Sequence, residues 1–160
     1  MKTFLASLTL VIVSFLSAQV DARSNGVRGI GPRLGVAADP DQFRFGGHLD
    51  LGDIAPNLVI MPNVEFGIGD DVTTIAPTFE LDYRFRSGWS EWAPYVGGGI
   101  GPVIYSTNHD GSSVDLALYM QFGIGKGSFS SQSGRFFMEG KFGLVEAPTF
   151  VATVGWVFGQ

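Results

Sequence analysis

The chain has 160 residues, no cysteine and a net charge of −5. That is enough for one domain, it excludes disulfides, thiolate metal sites and a lipidated N-terminal cysteine, and it argues against a protein held to nucleic acid by phosphate contacts. Charged residues make up 16% and glycine 23 positions, against about 25% and about 7% in ordinary globular chains, so a conventional soluble surface is not in evidence.

The first element is a leader. Met1 and Lys2 give a positive start, residues 4–16 are mostly apolar, and Val20 and Ala22 stand at −3 and −1 of a cut before Arg23. This is the pattern of a secretory signal. Residues 1–22 are therefore expected to be a cleaved signal peptide and residues 23–160 a single exported domain. The apolar run is too short for a helical span of about 20 residues, and no later stretch approaches that length.

Beyond the leader, a period of two recurs. Residues 29–38 form the first segment. In residues 43–52, Phe43, Phe45, Leu49 and Leu51 alternate with Arg44, Gly46, His48 and Asp50. In residues 58–69, Leu58, Ile60, Val64, Phe66 and Ile68 alternate with Met61, Asn63, Glu65 and Gly67. Residues 75–86 set Ile75, Phe79, Leu81, Tyr83 and Phe85 against Ala76, Thr78, Glu80, Asp82 and Arg84. Segments 92–105, 114–125, 135–144 and 150–158 follow, with Leu116, Leu118, Met120 and Phe122 opposite Asp115, Ala117, Tyr119 and Gln121 in the sixth. Turn-rich pieces at 39–41, 53–57, 69–73, 87–91, 106–113, 125–134 and 145–148 separate them. Eight strands of about ten residues joined by short links predict an all-β fold, an eight-stranded antiparallel up-and-down transmembrane β-barrel.

Alternation alone does not say which face is outside. Here the polar face is crowded with glycine, including Gly31, Gly97, Gly99, Gly123 and Gly155, where a water-facing surface would carry Lys, Glu and Thr. A narrow lumen needs such room. The other face is bulky on nearly every strand, which would overfill a small lumen and suits lipid. Tyr83, Phe85, Trp92, Trp156 and Phe158 fall at strand ends that the weave brings to one rim, as an aromatic girdle does.

The runs 33–43 and 46–52, with Pro62-Asn63-Val64-Glu65-Phe66-Gly67 and Pro94-Tyr95-Val96-Gly97-Gly98-Gly99, resemble bacterial outer-membrane β-barrel-domain proteins, the small OmpA/OmpX-like barrels. The resemblance covers essentially the whole exported chain and implies the cell outer membrane as the location. It implies outer-membrane lipid and the barrel-assembly machinery as partners, a monomeric state, and no nucleic acid. It is weak for any particular function. The ending from Phe150 to Gln160 is similar to the family's C-terminal assembly signal, with Trp156 and Phe158 as its aromatics, although two residues follow Phe158. A periplasmic cell-wall-binding domain is not expected.

On the inward face stand Arg33, Arg44, His48, Asp50, Glu65, Glu80, Asp82, Arg84, Asp115, Glu139 and Lys141. In a narrow lumen these charges are expected to form a hydrogen-bonded ion-pair network with trapped water, because an unpaired buried charge is costly. His48 and Asp50 share a face as a catalytic dyad would, but no serine lies on it and no Gly-x-Ser-x-Gly elbow occurs. A lumen histidine paired with a carboxylate is the plainer reading. The loop at Asn108-His109-Asp110-Gly111-Ser112-Ser113 reads as a turn, and its histidine fits no zinc spacing. No catalytic residue, cofactor site or metal site is therefore assigned. The expectation is a plugged, non-catalytic barrel with a structural, envelope-integrity or binding role. A narrow ion or proton channel, a lipid-modifying enzyme and a soluble lipocalin-like carrier are the alternatives.

Overall fold

The computed structural model describes residues 26–85, 92–107, 111–126 and 134–159. The expected leader lies outside them, as do Arg86, His109 and Gln160. Among the described residues nine antiparallel strands are present: β1 (Gly29–Ala38), β2 (Gln42–Asp50), β3 (Asp53–Ala55), β4 (Leu58–Ile68), β5 (Val72–Arg84), β6 (Trp92–Thr107), β7 (Gly111–Lys126), β8 (Arg135–Val145) and β9 (Phe150–Gly159). Eight of them close a barrel in the order β1-β2-β4-β5-β6-β7-β8-β9, and β9 returns to β1 with Ile30 opposite Phe158 and Leu34 opposite Val154. Closure removes the free edges that an open sheet would expose.

The odd strand out is β3. Residues 53–57 were expected as a turn, yet Asp53 pairs with Val59 and Ala55 with Leu58. Between them, Pro56 fixes one φ and Asn57 adopts φ 64°, the positive value that a tight turn of type II requires at its third residue. β3 lengthens the β2–β4 hairpin at one rim and leaves the barrel order unchanged, because β2 pairs directly with β4, Phe43 opposite Ile68 and His48 opposite Asn63.

At the opposite rim, the expected turn over 106–113 is mostly strand. Ser106 pairs with Ser112 and Thr107 with Gly111, and Gly111 takes φ 85°. Serine and threonine tolerate the strand here because both faces meet water. With 16 residues each, β6 and β7 reach roughly 40 Å along the axis at ordinary rise and tilt, more than the ~30 Å of a bilayer core. This hairpin stands proud of the other loops. Similarly, β5 begins at Val72, inside the turn expected over 69–73.

The barrel is inverted relative to a soluble protein. Inward residues are polar and fully enclosed: Arg33 is 1% exposed, Glu80 1% and Gln121 0%. Outward residues are apolar and bare, with Phe79 and Leu116 each 61% exposed and Val36 58%. Such a belt of aliphatic and phenyl side chains would be strongly unfavourable in water, and hydrocarbon accepts it. The glycines serve the interior. A Cβ at Gly123 would collide with the Tyr95 ring, and one at Gly155 with the Phe137 ring. Both rings thus occupy space that a neighbouring strand gives up.

The lumen is not polar throughout. Towards the rim formed by the β6–β7 turn, Ala76, Val103, Ala117 and Tyr119 form a buried apolar cluster, with Tyr105 and Ala147 packed against it. At the end that carries both termini, the aromatics gather as the sequence suggests. Tyr83 meets Phe85 edge-on at 5.2 Å, Trp156 lies 5.9 Å from Phe136 and 6.4 Å from Phe158, and the Lys126 ammonium sits 5.7 Å over Trp92. No helix among the described residues is long and apolar enough to cross a membrane.

Candidate functional site: the charged lumen

The chemistry-bearing side chains converge inside the barrel because period-two alternation places them all on the concave face. Arg33 on β1 is the hub. Its Nη1 donates to both oxygens of Glu80 on β5 at 3.1 and 3.0 Å, and its Nη2 donates to Glu139 Oε1 on β8 at 2.9 Å. Glu65 on β4 lies 3.4 Å from the same Nη1, and the guanidinium carbon sits 5.4 Å from the centre of the Phe137 ring. The planar fork of arginine holds its donors in a fixed geometry that matches carboxylates on two strands, where a lysine offers a single point charge.

Lys141 on β8 is the second bridge. Its Nζ donates to Glu65 Oε1 at 3.0 Å and Glu80 Oε1 at 2.5 Å, with Glu139 at 3.6 Å. Arg44 Nε on β2 approaches Glu65 Oε2 at 3.1 Å. Tyr95 on β6 donates its hydroxyl to Glu139 Oε2 at 2.8 Å. These groups tie β1, β2, β4, β5, β6 and β8 together across the lumen. Each charge is nearly water-free, with Glu80 and Glu139 side chains 0% exposed. A buried ion is tolerated only with partners of this quality, and removing one partner is far costlier than the pair's net contribution.

A second group closes the end with the termini. Asp50 Oδ2 accepts from Arg84 Nη2 at 3.3 Å and from Arg135 Nη2, while Gly52 N donates to Asp50 Oδ1 at 2.8 Å. Near the other rim, Thr74 Oγ1 donates to Gln42 Oε1 at 3.1 Å and Gln42 Nε2 to the Val72 carbonyl at 3.2 Å.

Two expected members stand apart. Asp115 is half-buried and accepts from Ser113 Oγ at 3.3 Å. The register sets it opposite Val103, at the level of the apolar cluster and outside the Arg33-centred ion pairs. His48 does point inward and is 2% exposed, but it is not paired with Asp50. Two arginines occupy that carboxylate, and His48 instead lies edge-on to Phe137 at 5.3 Å with neither ring nitrogen hydrogen-bonded. No dyad is formed.

Arg135 was missed as a lumen residue because it opens its strand, although it shares parity with Phe137, Glu139 and Lys141. Gln42, which precedes the alternating run at Phe43, shares parity with Arg44 in the same way. Trp156 and Phe158 project outward beside β1 towards the terminal rim, and Val154 shares their face opposite Leu34, midway along β1.

No family model matches the chain, and no curated protein matches it in sequence. Solved structures do match in shape. Neisserial surface protein A is similar with a TM-score of 0.64 and 10% identity, over 82% of this chain and 95% of that one. The N-terminal β-barrel domain of Pseudomonas aeruginosa OprF has a TM-score of 0.58 and 15% identity, over 84% and 99%. The outer-membrane enzyme PagL has a TM-score of 0.50 and 11% identity, over 81% and 99%. At these identities the likeness concerns the fold: the chain is built as a closed eight-stranded barrel of the outer-membrane type.

Proposed function

We propose that this protein is exported, inserts as a monomer into the cell outer membrane and acts there without catalysis, through a structural, envelope-integrity or binding role. The bare apolar belt and the aromatic rim support insertion, and outer-membrane lipid is the solvent they suit. The barrel-assembly machinery is the partner during insertion, with the Trp156–Phe158 strand as its recognition element.

The observation that carries the plugged reading is the Arg33-centred network, which spans the lumen from β1 to β5 and β8. Any solute would have to break several charge-assisted bonds at once to pass. Against catalysis, the chain has no cysteine. Among the described residues its one histidine, His48, makes no hydrogen bond to a nucleophile or an orienting carboxylate.

The test has two arms. The expressed protein is expected in the outer-membrane fraction with a heat-dependent gel shift, and recovery as a soluble periplasmic monomer would overturn the location. Liposomes carrying the purified barrel are expected not to swell in a small sugar. Rapid swelling would replace the plugged lumen with a channel.

A further inference from the structure

The loop between β8 and β9 does not stand clear of the barrel; it folds into it. β8 pairs with β7 as far as Val145 opposite Leu118, while β7 continues beside β6 to Gly111. Residues 146–149 turn inwards at that step. On β8 the inward position Gly143 has no side chain, and a Cβ there would collide with the carbonyls of Ala147 and Pro148. The loop backbone therefore lies against the inner wall. Ala147 packs on the buried cluster of Ala76, Val103, Ala117 and Tyr119, which belongs to β5, β6 and β7, and Pro148 is fully buried. From β6, the Tyr105 hydroxyl donates to the Glu146 carbonyl at 3.2 Å.

The two ends of this segment are held differently. At its foot, Thr149 N donates to the Asp39 carbonyl at 3.3 Å, Thr149 Oγ1 to Asp39 Oδ2 at 3.2 Å and Gly143 N to the Thr149 carbonyl at 3.2 Å. Residues 146–148 rely on the Tyr105 bond and on the seating of Ala147 and Pro148. Glu146 also takes φ 42°, a left-handed conformation that costs a residue with a side chain, so the seated form carries strain. We propose that residues 146–148 are a displaceable stopper for the rim of the β6–β7 turn, seated on the apolar cluster and able to lift about Thr149. Lifting exposes the small apolar area of Ala147 and Pro148, which is unfavourable. In return, water reaches the Tyr119 hydroxyl, and Arg44 whose charge acts on it, both buried with polar atoms that no protein group satisfies. Hydrating such atoms is favourable, and the strain at Glu146 is released. The Arg33-centred ion pairs stay in place in both positions, so the stopper governs access from this rim and not conduction.

The chain has no cysteine, so Ala117→Cys sets a single thiol in the seat of Ala147, and Val157→Cys sets one beside Arg135 at the terminal end. Each barrel is placed in lipid nanodiscs, where both ends meet the reagent, and its labelling by a charged methanethiosulfonate is followed by mass. Ala147→Asp, which puts a charge on the apolar seat, is expected to raise the Ala117→Cys rate about tenfold or more and to leave the Val157→Cys rate unchanged. An Ala117→Cys rate that Ala147→Asp does not change, whether slow or fast, would show that the loop does not close the rim and overturns the proposal. Equal acceleration at Val157→Cys would show loosening of the whole barrel and does the same. The heat-dependent gel shift reports that each variant is folded. Should Ala147→Asp not fold, Tyr105→Phe removes the bond to Glu146 and leaves the seat intact. It is expected to raise the Ala117→Cys rate severalfold, and an unchanged rate overturns the proposal.

Discussion

Arg33→Ala is the most informative single perturbation of this barrel. The wild-type guanidinium contacts Glu80 and Glu139 at 2.9–3.1 Å and has Glu65 at 3.4 Å, with the arginine side chain 1% exposed. Its removal leaves Lys141 and Arg44 to serve three buried carboxylates. Lys141 already donates to Glu65 and Glu80, so Glu139 keeps only the Tyr95 hydroxyl at 2.8 Å and a lysine at 3.6 Å. Breaking a buried pair by deleting one partner costs about 3–5 kcal/mol, which is roughly two to four powers of ten in the folding equilibrium constant. The assay is equilibrium urea unfolding in lipid vesicles, followed by the gel shift of the folded barrel. Pairing the change with Glu80→Gln tests the mechanism. The double variant is expected to be less destabilised than the sum of the singles, since each then removes a charge the other no longer needs to balance. Strict additivity, or an Arg33→Ala barrel as stable as the wild type, would refute the view that the lumen is held by mutual charge compensation.

Leu118 faces outward at 38% exposure while Gln121 is enclosed at 0%. Leu118→Arg is therefore expected to cost up to about 2–4 kcal/mol in a bilayer, whereas Gln121→Arg should act through Asp82; a harmless Leu118→Arg with a fatal Gln121→Arg would mean the faces are reversed. Gly123→Ala is expected to destabilise by about 1–3 kcal/mol through overpacking, because its Cβ would strike Tyr95. Tyr95→Phe keeps the ring and should not relieve that cost, while Tyr95→Ala should relieve part of it, as measured by the same unfolding curves. Deleting Phe158 should slow membrane insertion more than deleting Gln160, read by the rate of the gel shift, and equal rates would remove the aromatic ending as a recognition element.

The strands were legible because a closed barrel imposes one rule on every residue. Lipid lies on one side and a crowded lumen on the other, so parity along the chain sorts Phe79 from Glu80 and Phe122 from Gln121 without knowledge of neighbours. Strand ends were less legible. Above the bilayer both faces of a hairpin meet water, alternation fades, and Ser106, Ser112 and Ser113 read as loop although they pair. Pairing inside the lumen was not legible either. His48 and Asp50 share a face, but the partner of Asp50 is decided by which strands curve across the barrel, and Arg84 and Arg135 arrive from β5 and β8. The apolar cluster of Ala76, Val103 and Ala117 escaped notice for a similar reason. Each residue is one small side chain on a mainly polar face, and only closure brings them together.

The two ends of the lumen are sealed by different physics, and the difference bears on what the barrel admits. At the rim of the β6–β7 turn, Ala76, Val103 and Ala117 are 0–1% exposed and offer water no hydrogen bond. Such a constriction excludes ions by desolvation. At the terminal end the seal is Asp50 between Arg84 and Arg135, whose side chains remain 12% and 16% exposed, so water already reaches it. Between the seals lie polar atoms with no protein partner on His48, Asn63, Asp82, Gln121 and Thr153, each of which needs water or another occupant. Among the described residues, water therefore reaches the charged seal at the terminal end, while small apolar side chains close the lumen towards the turn side. Val103→Ser should open the second seal by supplying a hydrogen-bonding group among the small side chains. The expected result is faster hydrogen exchange at β6 amides of the variant than of the wild type, and exchange at those amides that is already as fast in the wild type would show that the apolar cluster does not exclude water.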